Sequence, residues 1–558
     1  MHDLVIRGGT VADGTGNAVR TGDIAVDGDR ITAVGGRVGA GRRELDADGL
    51  LVTPGFVDIH THYDAQATWD ALLTSSCWHG VTTVVTGNCG VGFAPVRPDR
   101  RDWFVEVMES VEDIPAPVLR AALAWDWETF PEFLDALDRV PHALDIAALL
   151  PHAALRVYVM GARGADPHAV PRADELGAMT QLVREAGEAG AVGFATSRTE
   201  HHRTGDGGLL PCHAIRTDEL AAVAAGLVQA GGGVLEVGSD FPDGDLETEF
   251  AGYRRIAAES GLHMTMPVAE SPSRPGEGRR LLDLIEQAAA DGVPVSAQVT
   301  SRPIGAVFGI DSRLHPFAAM AAWRRAGSDP AVLRRGDVRA AVLGEARAAG
   351  ADPRLGSVFR IAHAASGFPV PADALGAEAA AAGADPLAFL YDALVAGDGT
   401  ALFYRPAVNY DGGDDRWVER MLRSPHAVPG LGDGGAHCSM ISDMSSPTTL
   451  LTYWGRDRPS GALLPVPWLV KRQTADAADL VGLRDRGRLA PGMKADINLI
   501  DFTRLRAHAP EMAVDLPAGG QRLVQRADGY RHMVVSGEVA FTDGEHTGAM
   551  PGRVVRRT

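Results

Sequence analysis

The sequence predicts an α/β protein, a (β/α)8 TIM-like barrel with a small β-sandwich domain formed by the N- and C-terminal segments. Three observations point there. Brief apolar strands alternate with Ala-rich helical stretches through the middle of the chain, and strand-and-turn patterns occupy both ends. The 558 residues suit one large barrel with insertions, although that length also admits two or three domains.

Residues 1–52 make the first part of the small β domain. Leu4-Val5-Ile6 reads as a strand, and Ile24-Ala25-Val26 and Ile31-Thr32-Ala33-Val34 flank the turn Asp27-Gly28-Asp29-Arg30. Gly14-Thr15-Gly16-Asn17-Ala18-Val19 superficially matches a dinucleotide loop but lacks the third glycine and any helix after it, which excludes that reading.

Residues 53–480 make the barrel with its insertions. Strands such as Thr82-Thr83-Val84-Val85 and Val234-Leu235-Glu236-Val237 are separated by helices predicted at 174–189, 218–230, 249–260 and 279–290. Each helix is followed by Gly and an apolar run, and a helix stopped by Gly that feeds a strand is what a βα unit requires. Residues 97–138, rich in Trp, Asp and Glu, interrupt this alternation and read as an insertion. Residues 481–558 return to strands, Asp496-Ile497-Asn498-Leu499-Ile500 and Met533-Val534-Val535, and complete the β domain begun at the N-terminus.

Composition excludes several classes of function. Lys plus Arg number 53 against 72 Asp plus Glu, and a net charge of −19 repels a phosphate backbone, so no nucleic-acid partner is expected. Hydrophobic residues at 45% and charged residues at 22% are those of an ordinary globular protein. Met1-His2-Asp3-Leu4 lacks the basic start and apolar core of a secretion signal, and no apolar run is long enough to cross a bilayer. The expectation is a cytoplasmic protein with no membrane partner; its oligomeric state is not readable. Cys77, Cys89, Cys212 and Cys438 are widely spaced, so no disulfide framework is expected and each is read singly.

The chemically informative segment is Pro54-Gly55-Phe56-Val57-Asp58-Ile59-His60-Thr61-His62. Alternate residues of a strand point to one side, which puts Asp58, His60 and His62 on one face and Val57 and Ile59 on the other. Two imidazoles at i and i+2 on a stiff strand lose little entropy in reaching one zinc-like ion. A His-x-His triplet alone arises by chance in about half of chains this size, so the weight comes from the Pro-Gly and apolar strand before it.

Pro54 to His62 with Tyr63-Asp64 resembles the opening of the amidohydrolase superfamily, and within it the N-acyl-D-amino-acid deacylase (D-aminoacylase) group. Thr86-Gly87-Asn88-Cys89-Gly90 is similar to the segment that carries that group's cysteine ligand. Arg484-Asp485-Arg486-Gly487-Arg488-Leu489-Ala490-Pro491-Gly492-Met493-Lys494-Ala495-Asp496 looks like its return from barrel to β domain, so the resemblance spans nearly the whole chain.

That resemblance implies a zinc cofactor held by His60, His62, Cys89 and Asp433, with Asp433 also the catalytic proton carrier. The blander readings are an inert buried cysteine and a turn aspartate, since Asp433 is followed by Gly434. The group also carries two histidine ligands at the ends of middle strands. Here those windows read Val234-Leu235-Glu236-Val237-Gly238-Ser239-Asp240 and Met264-Thr265-Met266-Pro267-Val268-Ala269-Glu270, without a histidine, and His263 precedes its strand rather than ending it. One ion is preferred. A two-ion site completed by other residues, with Glu236 and His202 the leading candidates, and a barrel that has lost activity are the alternatives.

Substrate-binding candidates follow the strand Val192-Gly193-Phe194. Arg198 or Arg203 can hold a substrate carboxylate in a two-pronged contact, with His202 beside them, unless the segment is a solvated loop. Arg302 is a further candidate for that duty; His363 reads as a core histidine, and His437 and Cys438 either join the rim of the site or hold its loop. The expected function is hydrolysis of a non-peptide C–N bond in a small-molecule amide, an N-acyl-D-amino acid or a related compound. A cyclic amide or carbamoyl substrate, or a non-catalytic small-ligand-binding barrel with a degenerate metal site, stands as the alternative.

Overall fold

A computed structural model describes residues 1–242, 245–365, 367–440 and 443–557. Its centre is an eight-stranded parallel sheet with strands in chain order. These are β1 (Phe56–Asp58), β2 (Val81–Thr86), β3 (Asp145–Pro151), β4 (Gly193–Arg198), β5 (Val234–Ser239), β6 (His263–Pro267), β7 (Val295–Val299) and β8 (Ala427–Pro429). Each pairs with the next in parallel. Just past the strand ends, β8 meets β1 again: the Asp433 N–H donates to the His60 carbonyl at 3.1 Å and the His62 N–H to the Gly434 carbonyl at 2.7 Å. The result is a nearly closed barrel.

Sequence chemistry accounts for these elements. All six residues of β2 are Val or Thr and all are buried, the β-branched composition that a strand covered on both faces favours. Helices Ala173–Glu188, Thr217–Gln229, Leu246–Ser260 and Glu277–Ala290 lie within a few residues of the predicted spans. The third opens with the Asp245 side chain accepting from the Thr248 N–H and ends at Gly261 with φ +68°, a left-handed stop.

Two insertions shape the mouth of the barrel. Between β2 and β3 stand helices Arg101–Val111, Ala116–Ala122 and Phe130–Asp138, the last held by a reciprocal cap between Thr129 and Glu132. This is the insertion predicted at 97–138. A second insertion, absent from the sequence reading, separates β7 from β8. It contains an antiparallel sheet of Ile304–Phe308, Phe403–Val408 and Phe359–Arg360 and has its own core, including Phe317, Trp323, Leu343, Leu390 and Tyr391.

Both chain ends meet in one nine-stranded sheet. Leu51–Pro54, from the N-terminal segment, pairs antiparallel with Ile497–Ile500, from the C-terminal one. Leu4, Ile24, Ile31, Val52, Ile497 and Val534 share the core that the sheet encloses. A buried ionic group ties this sheet to the barrel: Arg486 Nη1 lies 2.6 Å from Asp145 Oδ2, and Lys494 pairs with Asp145 and Asp496. Among the described residues no helix is long and apolar enough to cross a membrane.

Candidate active site

The predicted strand through His62 stops at Asp58, and the histidine pair lies on the extended segment just beyond it. The Asp58 Oδ1 fixes that exit by accepting the His60 N–H at 3.2 Å. Alternation still separates the side chains. Val57 and Ile59 pack with Val85, Ala147 and Leu149 in an apolar cluster, whereas the His60 and His62 rings face one another edge-on at 5.4 Å.

Each imidazole has an acceptor behind its Nδ1. His60 Nδ1 is 2.7 Å from Gln298 Oε1 on β7, and His62 Nδ1 is 3.5 Å from Glu112 Oε1. The Nε2 atoms turn toward shared neighbours. Cys89 Sγ lies 3.3 Å from His60 Nε2, and Asp433 Oδ1 lies 3.6 Å from His60 Nε2 and 3.7 Å from His62 Nε2. The four residues named from the sequence therefore come together, from the segment just after β1, the loop after β2 and the loop after β8.

Tight loops make that meeting possible. A Cβ on Gly87, which has φ +86°, would stand 2.2 Å from the Leu149 carbonyl oxygen, so only glycine lets this loop turn toward the centre. Cys89 (φ 55°), Asp433 (φ 48°) and His437 (φ 49°) are all left-handed, a conformation costing a non-glycine residue roughly 1–3 kcal/mol and concentrated at functional sites. The Cys89 N–H is anchored by Glu236 Oε2 at 3.0 Å, and Glu236 Oε1 stands 3.6 Å from His60 Nδ1. Glu236 thus stands against two of the donors.

Burial and charge set the protonation states. Burial pushes the Glu236 carboxyl up to about 8, with the Cys89 N–H opposing, and pushes Asp58 up to about 7. Burial acts the same way on Asp433, but the adjoining imidazoles of His62 and His60 outweigh it and hold that carboxyl well below the ordinary range. Glu112 is also held low against its burial, by the charges of His62, His437 and His202. Burial takes His202 down to about 4.

The donor set fits a metal ion. His60, His62 and Cys89 place ligand atoms within 4.8 Å of one another, the only such group of three among the described residues. Asp433 joins through both imidazoles. His62 Nδ1, Glu236 Oε1 and both Glu112 oxygens are buried without a hydrogen-bond partner, an arrangement that structures rarely leave uncompensated. Imidazole nitrogen, thiolate and carboxylate are ligands that zinc accepts together.

The other sequence candidates lie differently. Arg198 and Arg203, read as candidates for a two-pronged substrate contact, have partners within the chain. Arg198 pairs with Glu249 at 2.8 Å and donates to the His213 carbonyl at 2.8 Å, and Arg203 sits on an exposed loop donating to Gly207 at 3.1 Å. Arg302 is fully buried, donating to Ser445 Oγ at 2.6 Å and the Ala364 carbonyl at 2.7 Å. His202 has a buried Nδ1 without a hydrogen-bond partner. His437 belongs to the rim: its N–H donates to the Glu112 carbonyl and its Nε2 lies 3.7 Å from Glu112 Oε2. The carbonyl of Cys438 accepts from Leu523, holding the loop, and His363 lies 4.0 Å from Asp373 and is half-buried. His263 contacts Ser296 Oγ at 2.9 Å.

Sequence reasoning missed Glu112 and Gln298. Gln298 carried a weak signal, a long polar residue in the short strand Val-Ser-Ala-Gln-Val. Glu112 carried none, standing at a helix end in a polar insertion.

Barrel, appended sheet and donor set together define a metal-binding barrel enzyme of the hydrolase class. The chain belongs to the amidohydrolase family, which its residues 43–541 match. It is 28% identical to N-acyl-D-glutamate deacylase of Alcaligenes xylosoxydans xylosoxydans over 562 residues, covering 100% of this chain and 96% of that protein. A stretch of 195 residues is 36% identical to D-aminoacylase of the same organism, spanning 35% of this chain and 37% of that one. Among solved structures, a D-aminoacylase with a binuclear metal centre, described as having one-metal activation and second-metal attenuation, matches with a TM-score of 0.66 and 25% identity, covering 100% of both chains.

Proposed function

We propose that this chain is a zinc-dependent deacylase that hydrolyses the C–N amide bond of an N-acyl-D-amino acid or a related small amide. One observation carries the reading: His60, His62, Cys89 and Asp433 meet with separations of 3.3, 3.6 and 3.7 Å at the mouth of the barrel. Full-length similarity to N-acyl-D-glutamate deacylase supports the substrate class.

His60, His62, Cys89 and Asp433 would hold the ion. When bound, zinc supplies Lewis acidity, polarising an amide carbonyl and bringing the ionisation of water to a pKa of about 7. Asp433, kept as a carboxylate, accepts the proton that the attacking water loses and delivers it to the amide nitrogen as the C–N bond breaks. Gln298 keeps the His60 ring in place, and Glu236 keeps the Cys89 loop in place.

One ion is favoured over two. Where a second ion would take imidazoles from the middle strands, β5 offers Glu236 and β6 offers Met264-Thr265-Met266. A single ion is compatible with turnover, because D-aminoacylase is described as activated by one metal.

The test is a matched panel of N-acyl-D- and N-acyl-L-amino acids offered to the zinc-loaded full chain, with release of the free amino acid measured. Hydrolysis of D-configured members is expected. Turnover confined to L-configured members, or none across the panel, contradicts the substrate assignment.

A further inference from the structure

Glu112 takes no part in the reaction proposed above, yet it is fully buried and neither of its carboxylate oxygens has a hydrogen-bond partner among the described residues. An anion so placed is strongly unfavourable unless nearby groups answer its charge. Those groups are imidazoles. His62 Nδ1 stands 3.5 Å from Oε1 and His437 Nε2 stands 3.7 Å from Oε2, while the Glu112 carbonyl accepts the His437 N–H.

The arrangement mirrors the other member of the histidine pair. His60 has Gln298 Oε1 behind its Nδ1 at 2.7 Å, so its Nε2 lone pair faces Cys89 and Asp433. Glu112 stands on the same side of His62, with Oε1 3.5 Å from Nδ1 and no hydrogen bond between them without an ion, and the Nε2 of that ring faces Asp433 at 3.7 Å. An imidazole that donates from Nδ1 to an acceptor is fixed in one tautomer and ring orientation, and a carboxylate acceptor also raises its basicity toward a metal.

We infer that Glu112 is a positioning residue: it fixes the ring of His62 for metal binding and, through His437, anchors the loop that carries Asp433 four residues earlier. The inference rests on the metal-site reading given under Proposed function. It assigns a role in the metal site to the helical insertion between β2 and β3, which contributes no donor of its own.

The test uses cobalt(II) as the probe, loaded into the full chain and into Glu112→Gln, Glu112→Ala and Glu112→Asp, with affinity read by chelator competition and ligand geometry by the visible spectrum. The wild-type chain is expected to take up about one equivalent. Glu112→Ala should bind about 10–100-fold more weakly with an altered spectrum, whereas Glu112→Gln, which keeps the side-chain volume and an acceptor oxygen of the kind Gln298 offers His60, and Glu112→Asp should recover part of the affinity. An Ala variant that keeps the wild-type fold by circular dichroism, affinity and spectrum overturns the inference alone. A wild-type chain that binds no cobalt overturns the metal site and this inference with it.

Discussion

At the scale of single residues, the proposed reaction depends on keeping one partly buried carboxyl ionised. In Asp433, without an ion, the imidazoles of His62 and His60 outweigh the cost of its burial; with both rings bound to an ion through their lone pairs, the ion's charge would take over that role. Asp433→Asn keeps the shape but cannot accept a proton, so kcat is expected to fall by about 10²–10⁴, with zinc content measured on the same samples. A variant with undiminished kcat would remove Asp433 from the chemistry. Of the four residues that meet here, the two histidines stand out by their alternate positions after an apolar strand, whereas Cys89 and Asp433 stand out only through the resemblance, their own contexts reading equally as an inert cysteine and a turn aspartate. The pairing of Arg198 with Glu249, on the helix Leu246–Ser260, was not legible, since no local pattern announces so distant an ion pair. Glu112 was invisible for the same reason, since only folding brings a helix end against His62.

At the scale of elements, the βα units were readable where periodicity and glycine stops agree. Helix Leu246–Ser260 has Asp245 at one end and Gly261 at the other, so its bounds are written in the chain. The segment between β7 and β8 was not readable as an insertion. Its helix Gly336–Ala348 is as Ala-rich as those of the barrel, and what distinguishes it is only that Val342, Leu343 and Ala346 pack into a separate core with Phe317 and Tyr391. Local composition specifies a helix; its partner surface is set by contacts far away in the chain. The end of β1 shows the limit at finer grain: the apolar alternation runs on through Ile59, but the Asp58 side chain capping the His60 N–H accompanies the end of regular pairing.

At the scale of the whole molecule, buried polar contacts tie the barrel to segments far away in the chain. His79, beside β2, lies 3.0 Å from the Gln525 carbonyl through Nε2 and 2.8 Å from Thr448 Oγ1 through Nδ1. Burial takes His79 and His315 down to about 4. Between that value and the ordinary imidazole value near 6.5, the unfolded chain binds protons that the folded one excludes. Their contribution is therefore fully present above pH ~6.5 and is lost as the pH falls toward ~4, by at most ~1.4 kcal/mol per pH unit per imidazole. Glu236 and Asp58, held up by burial, titrate in the opposite sense over the same range, so the readable quantity is a difference between chains. Urea midpoints should fall less from pH 7 to pH 5 in His79→Gln than in the wild-type chain. The same pH dependence in variant and wild-type chain would mean that His79 titrates normally.

The central claim is that donors from the segment just after β1, the loop after β2 and the loop after β8 hold one ion in common. Anomalous diffraction at the zinc absorption edge, from crystals of the zinc-loaded full chain, tests it directly. A single strong peak within bonding distance of His60 Nε2, His62 Nε2, Cys89 Sγ and Asp433 Oδ1 is predicted. A peak away from those atoms, or none in crystals grown with excess zinc, would contradict it.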